Sequence, residues 1–103
     1  VASSFKDLAI DKEKKTIEIV NATEVFGLGS RLATFVANIG GDVILVSTKE
    51  KSQKSKIIYS GNESYTVKRL SKYLNFKSGK TDKEALADVI IIIGEDTLEN
   101  IKF

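Results

Sequence analysis

The sequence predicts a small α/β (α+β) domain: a two- or three-layer sandwich with a four-stranded mixed sheet and two main helices, in the order β-α-β-β-α-β. Two observations predict it. Short runs of β-branched residues alternate with segments whose apolar residues recur at helical spacing. The chain has 103 residues, of which 42% are hydrophobic and 29% charged. That length and composition suit one domain with a single core.

The first half of the chain contains a strand, a helix and a second strand. Residues 1–15 are polar, so we expect a linker or N-terminal arm, and a folded domain over residues 16–103. Residues 16–20 read Thr-Ile-Glu-Ile-Val, a strand pattern. Residues 25–39 carry apolar side chains at three- and four-residue steps, which predicts a helix that ends at two glycines. Residues 42–48 predict the second strand.

The second half repeats this pattern. Residues 49–56, called the lysine loop below, are predicted to form a hairpin that leads into a short strand over residues 57–59. A second helix is predicted over residues 62–74, followed by a polar loop. Residues 89–93 are consecutive β-branched residues, which indicates a strand covered on both faces or a central strand beneath both helices. A strictly ferredoxin-like order would place it at an edge, so the strand order stays open.

The composition excludes most catalytic chemistry. The chain has no Cys, His, Met, Trp or Pro. Without His and Cys, imidazole bases, thiolate nucleophiles and Cys/His metal sites are excluded. Glu95, Asp96 and Glu99 form an acidic cluster, for which a solvated strand end is a simpler explanation than catalysis. We therefore expect no catalytic residue, no metal and no cofactor. Because the chain does not begin with Met, we also expect it to be a piece of a larger protein.

Two candidate ligand-binding residues follow the first strand. Asn21 and Thr23 lie where open α/β sheets tend to bind ligands, at the carboxyl end of a strand. Capping of the first helix is the alternative explanation for both. Gly27 and Gly29 suggest a dinucleotide loop, but Leu32 stands where its third small residue is needed. Close packing of helix and sheet is therefore the favoured role of these glycines.

The other candidates are basic or lie at the second helix. The lysine loop carries Lys49, Lys51, Lys54 and Lys56. These lysines would attract an anionic partner, although a solvated hairpin tip has the same composition. Ser60 and Asn62 precede the second helix, whose N-terminus can receive an anion. Capping by Asn62 is again the alternative. Lys68, Arg69 and Lys72 would extend the basic surface if that helix faces the loop.

Four spaced segments resemble a known family. They are the strand that leads into Asn21-Ala22-Thr23, the run Val25-Phe26-Gly27-Leu28-Gly29-Ser30-Arg31-Leu32-Ala33, the sequence Gly61-Asn62-Glu63, and the stretch from Ala87 through Gly94-Glu95-Asp96. Their order and spacing resemble the LytR C-terminal domain family over residues 16–96. Ala22 departs from that pattern because it stands at a usual glycine, and Gly29 departs because a small non-glycine residue is more common there.

The resemblance implies a non-catalytic accessory domain of an extracytoplasmic cell-envelope protein with a membrane-anchored parent. Its implied partner is cell-wall glycan (peptidoglycan) or an anionic glycopolymer, with a protein of the envelope as a further possibility. Two other functions stay open at this point. One is a nucleic-acid-binding module of ferredoxin-like type, which the nearly balanced net charge of +2 does not favour. The other is a protein–protein interaction domain.

Overall fold

The computed structural model describes residues 6–103. Within them, three α-helices, five strands and a final 3-10 helix follow one another along the chain. Their bounds are α1 Leu8–Glu13, β1 Thr16–Asn21, α2 Leu28–Asn38, β2 Asp42–Thr48, β3 Lys56–Tyr59, α3 Tyr65–Leu74, β4 Lys77–Lys80, β5 Val89–Ile93 and the 3-10 helix Glu95–Glu99. The predicted α/β class is confirmed, with five strands where the sequence predicted four.

The five strands form one mixed sheet in the order β2-β1-β5-β3-β4. Strand β1 is parallel to both β2 and β5, and β3 is parallel to β4 but antiparallel to β5. Each half of the chain therefore forms a parallel pair around its own helix, and β5 joins the two pairs. The strand missing from the prediction is β4, whose four residues Lys-Ser-Gly-Lys are all exposed and include no β-branched residue.

The predicted hairpin around the lysine loop is wrong. Strands β2 and β3 are separated in the sheet by β1 and β5. The loop therefore crosses the carboxyl ends of two strands instead of turning back at an edge. The expectation that the last strand is central is confirmed, since β5 is the middle strand of the five. This position also excludes a ferredoxin-like strand order.

All three α-helices lie on one face of the sheet. The register places Ile19 of β1, Ile91 of β5 and Ile57 of β3 side by side on that face. Their side chains join one buried cluster with residues of the three helices and of the neighbouring segments. The helical members are Ile10 from α1, Leu28, Leu32 and Val36 from α2, and Val67, Leu70 and Leu74 from α3. The molecule is therefore a two-layer sandwich.

The segment predicted as a linker or arm contains α1, which packs into the domain. Asp7 caps this helix by accepting hydrogen bonds from the backbone N–H groups of Ala9 and Ile10. Ile10 is 2% exposed and lies in the core cluster. Because it is the one buried apolar residue of this short helix, the segment had no amphipathic periodicity to detect. Residues 1–5 of the predicted arm lie outside the described residues.

Candidate functional site

The lysine loop is held across the carboxyl end of the sheet by backbone hydrogen bonds. On one side it bonds to the end of β1, and on the other to the residues after β5. The bonds join Lys49 N–H to Asn21 C=O at 3.1 Å, Ser52 N–H to Ala22 C=O at 2.9 Å, Glu95 N–H to Ser52 C=O at 2.8 Å and Asp96 N–H to Gln53 C=O at 3.0 Å. Such bonding gives the loop a defined path, unlike a solvated hairpin tip.

Ser55 connects the end of the loop to the acidic cluster. Its backbone N–H donates to Asp96 Oδ1 at 3.0 Å, and its hydroxyl accepts from the Gly94 N–H at 2.8 Å. A Cβ on Gly94 would lie 2.7 Å from Ser55 N, closer than real Cβ contacts come. Asp96 is therefore a structural acceptor. Glycine is required at position 94 because the loop backbone passes directly over it.

The four lysines of the loop are in different environments. Lys51 forms ion pairs with Glu24 at 3.6 Å and Glu95 at 3.8 Å, so two carboxylates lie beside its charge. Lys56 is the first residue of β3 and pairs across the strands with Lys77 of β4. Lys49 lies directly after β2 and is exposed. Lys54 lines a cleft of about 290 Å³ beside the end of α3.

This cleft, called the basic cleft below, brings together lysines from three separate segments. Lys54 comes from the loop, Lys77 from β4 and Lys102 from the C-terminal tail. The remaining lining residues are Ser55, Leu74, Asn75, Phe76, Asp96, Thr97 and Asn100. Lys77 and Lys102 were not among the candidate residues predicted from the sequence. Lys77 comes close to Lys54 because β4 lies beside β3, and Lys102 does so through the path of the C-terminal tail, neither of which a local pattern indicates.

Asn21 and Thr23 hold the loop between β1 and α2. Asn21 Nδ2 donates to Val25 C=O at 3.0 Å, and its Oδ1 accepts from the Thr23 N–H at 3.1 Å and hydroxyl at 2.6 Å. Thr23 Oγ1 in turn accepts from the Val25 N–H at 3.1 Å. The predicted capping of α2 by these residues is wrong, because the N-cap is Gly27 at a φ of 83°.

The same loop presents an aromatic side chain to solvent. Phe26 is 101% exposed, and Val25 beside it is 42% exposed. Phe26 lies at a second cleft, of about 760 Å³, whose other lining residues include Asn21, Thr23, Val46 and Thr48. Phe26 was not predicted from the sequence to be a surface residue. The predicted helix began at residue 25 and so included Phe26, whereas α2 begins at Leu28 and leaves Phe26 in the preceding loop.

The two departures from the family pattern have structural explanations. Ala22 is 2% exposed, and its N–H donates to Ile93 C=O at 2.9 Å. Within residues 6–103, Lys14 and Asn75 are the non-glycine residues with positive φ, so Ala22 is unstrained. At Gly29 an added Cβ would lie 3.0 Å from Val46 Cγ1. The predicted close packing of helix and sheet is confirmed at Gly29 but wrong at Gly27, where an added Cβ would meet nothing within 4 Å and the positive φ is what favours glycine.

Ser60 and Asn62 lie at the opposite end of the sheet from the lysine loop. Both are exposed, and the N-cap of α3 is Ser64, so the predicted cap Asn62 is wrong. The N-terminus of α3 already holds a carboxylate of the chain. Glu13 accepts hydrogen bonds from the backbone N–H groups of Tyr65 at 3.1 Å and Thr66 at 2.8 Å. The eight predicted ligand-binding residues therefore do not form one site.

Arg69 lies against α1 and does not extend the lysine loop. Its Nε is 3.5 Å from Asp7 Oδ2, and its guanidinium stacks 4.7 Å from the ring centre of Tyr73. Burial alone raises the pKa of the Asp7 carboxyl, but the Tyr65 hydroxyl, two backbone N–H groups and Arg69 outweigh it and lower the pKa. The predicted contribution of Arg69 to a basic surface is therefore wrong.

Residues 6–103 contain neither a group of three or more acidic, His or Cys side chains placed to hold a metal nor a helix able to cross a membrane. The fold and the lysine loop, held by its backbone hydrogen bonds, define a two-layer α/β domain with a basic cleft at one end.

A family model described as LytR cell envelope-related transcriptional attenuator matches residues 14–97. The chain belongs to this LytR C-terminal family, which confirms the resemblance. The family comprises accessory domains of cell-envelope proteins. No curated protein and no solved structure matched the chain.

Proposed function

We propose that this chain is the non-catalytic accessory domain of an extracytoplasmic, membrane-anchored envelope protein, and that it binds an anionic glycopolymer of the cell wall. Family membership supports the envelope role. The observation that carries the choice of ligand is the convergence of Lys54, Lys77 and Lys102 on one cleft. The three lysines come from separate segments, and only the tertiary fold brings them together.

The chemistry of the basic cleft suits a repeating phosphate or carboxylate. Lysine ammonium groups act as exposed point charges that attract such anions, most strongly at low ionic strength. Asn75 and Asn100, both exposed at the cleft, add amide groups able to hydrogen-bond sugar hydroxyls. Asp96 also lines the cleft, but its Oδ1 is occupied by Ser55. The remaining positive charge favours an anionic polymer over a neutral glycan.

Co-sedimentation with purified cell walls tests the proposal. The variant Lys54→Gln/Lys77→Gln/Lys102→Gln removes three charges from the cleft. Its matched control is Lys12→Gln/Lys68→Gln/Lys83→Gln, which removes three exposed charges that do not line the basic cleft. We expect the cleft variant to lose on the order of tenfold or more in affinity, and the control much less. Equal losses by the two variants would contradict a site at the cleft.

A second arm of the same experiment identifies the ligand. Walls from which the anionic polymer has been extracted leave bare peptidoglycan. Binding that disappears with the polymer, and weakens steeply with added salt, supports the glycopolymer. Binding retained on the bare walls would identify peptidoglycan instead. Absence of binding to both wall preparations would overturn the proposal.

The proposed lack of catalysis rests on the carboxylates at this end of the sheet. Asp96 is bonded to Ser55, and Glu95 is paired with Lys51 at 3.8 Å. A glycosidase needs two carboxyl groups placed across a sugar ring, one of them with a raised pKa. We therefore expect the chain alone to release no soluble sugar from purified walls during a prolonged incubation. Release of reducing ends would contradict this part of the proposal.

A further inference from the structure

The two edges of the sheet differ in how they are protected against pairing with another strand. Edge strand β4 has four residues, two of which are lysines, and both features discourage pairing. Edge strand β2 has seven residues and lacks Lys, Arg and Pro, and its one irregularity is a β-bulge at Ile44, where the register with β1 shifts. It exposes Ile44 at 46%, Leu45 at 39% and Val46 at 41%. Residues 45–48, which follow the bulge, pair regularly with β1 and leave their other side open as a template for strand addition.

The apolar surface continues from β2 onto the neighbouring loop. Val46 lines the cleft of about 760 Å³ together with Val25 and Phe26. Five of the nine exposed large hydrophobic side chains in residues 6–103 therefore belong to β2 or to the loop beside its end, with Leu45 and Val46 on opposite faces of the sheet. The five are Val25, Phe26, Ile44, Leu45 and Val46. Single exposed apolar residues need no explanation, whereas a cluster indicates a binding surface.

We propose that the β2 edge pairs with the β2 edge of a second copy of this chain, antiparallel and about a two-fold axis. The charges on the strand favour this occupant. Asp42 begins β2 and Lys49 directly follows its end. Antiparallel pairing brings the acidic end of one strand to the basic end of the other, whereas parallel pairing would place like charges together.

The side chains of β2 also match one another in this arrangement. With Leu45 opposite its own counterpart, Val46 of each copy lies opposite Ile44 of the other, the residue at which the bulge falls. The amino-terminal half of the second strand then runs past Val46, beside the cleft that Phe26 lines. The Asn21 and Thr23 hydrogen bonds that hold this loop would thus fix Phe26 as a contact for the second copy. A two-fold interface of this kind closes on itself and yields a dimer.

Sedimentation equilibrium of the wild-type chain tests the pairing. The contact is small, so we expect a reversible dimer with a dissociation constant on the order of 10 to 100 µM. Leu45→Lys places a charge in the centre of the contact. It lies opposite Glu18 in the sheet, so the fold should accept the lysine. We expect this variant to stay monomeric at concentrations where the wild type is largely dimeric.

Leu86→Lys is the matched control, because it makes the same chemical change at a side chain that is 83% exposed and away from β2. It should dimerise like the wild type, while Phe26→Ser should weaken the dimer severalfold. Thermal unfolding checks that each variant is folded. Hydrogen exchange of the β2 amides should also slow as protein concentration rises.

A wild-type chain that remains monomeric at about 1 mM would overturn the proposal. An equal effect of Leu45→Lys and Leu86→Lys would do the same, since the dimer would then use another surface. Both measurements use the protein alone, without cell-wall material. Their outcome is therefore independent of whether the basic cleft binds an anionic glycopolymer.

Discussion

The two faces of the sheet are built from the same kinds of residue but are packed differently. On the helix-covered face, Ile91 of β5 is 0% exposed. On the opposite face, Ile90 and Ile92 of the same strand are only half-buried. Five consecutive β-branched residues thus serve two environments. This run of apolar residues is explained by the central position of β5 in the sheet. The alternative prediction, a strand covered on both faces, is wrong because Ile90 and Ile92 are only half-buried.

The largest effect should come from placing a charge on the helix-covered face. Ile91→Asp buries an unpaired carboxylate among Ile19, Ile57 and the helices, and should cost more than about 4 kcal/mol and unfold the domain. Ile92→Asp lies on the other face, directly opposite Lys56, and should leave a folded domain with a smaller loss of stability. Urea unfolding followed by circular dichroism measures the free energy of unfolding of both variants. Equal losses of stability would mean that the two faces of β5 do not differ in how strongly they exclude a charge.

A second test concerns the lysine loop, which crosses the carboxyl ends of β1 and β5. Gly94→Ala forces a Cβ against the backbone of Lys54 and Ser55, and should lower the free energy of unfolding by about 1–3 kcal/mol. Gly79→Ala on β4 is the control, because an added Cβ meets nothing within 4 Å there. Thermal unfolding compares the two. Limited proteolysis should cut the lysine loop faster in the Gly94 variant. Resistance equal to that of the wild type would mean that the close contact at Gly94 does not hold the loop in place.

A third test addresses α1, the short helix that packs beside α3 on the helix-covered face. Glu13→Ala removes the carboxylate that accepts the N–H groups of Tyr65 and Thr66, and should cost about 1 kcal/mol. Glu84→Ala, at an exposed position between β4 and β5, is the control. Chemical denaturation measures the difference. No difference between the two variants would mean that Glu13 does not anchor α1 to α3.

The smallest expected effect is a loss of stability in acid that depends on the same helix. Burial alone raises the pKa of Glu13, but its hydrogen bonds from Thr66 and Tyr65, with Lys15 nearby, lower the pKa below the ordinary 4.5. The pKa of Asp7 is lowered from 3.8 in a similar way. A lowered pKa stabilises the fold above the ordinary value, and that stability is lost as the pH falls through the lowered one.

Urea unfolding between neutral pH and about pH 2 measures this loss. The wild type should lose stability as the pH falls below about 4.5, and Asp7→Asn should show a shallower dependence. A variant with the same pH profile as the wild type would assign the acid sensitivity to other carboxylates. That result would leave Glu13 and Ile10 as the residues that hold α1 against the domain.

Much of the fold could be predicted because most helices and strands have a strong apolar or β-branched pattern in their own sequence. The apolar residues at three- and four-residue steps gave α2 and α3, and the β-branched runs gave β1, β2, β3 and β5. The misses have physical reasons. Strand β4 has no apolar residue and is a strand because β3 offers it hydrogen bonds, while α1 has one buried side chain. The predicted hairpin was wrong because nothing local indicates that β5 lies between the two halves.

The site was less predictable than the fold. The lysine loop was identified from its composition, yet only Lys54 of its four lysines lines the basic cleft. Lys77 and Lys102 join it through strand order and the path of the tail. Ser60 and Asn62 lie at the other end of the sheet because β3 runs antiparallel to β5. Proximity of residues far apart in sequence depends on strand order, which local patterns do not encode.

By itself the sequence determined the α/β class, the family and the absence of His and Cys chemistry. These follow from side-chain periodicity, composition and motif spacing, which are properties of the chain alone. The tertiary structure decided which face of the sheet is covered, which lysines meet and which apolar edge remains open. Those outcomes depend on long-range strand pairing, because a strand's neighbours decide whether the same isoleucine is core or surface.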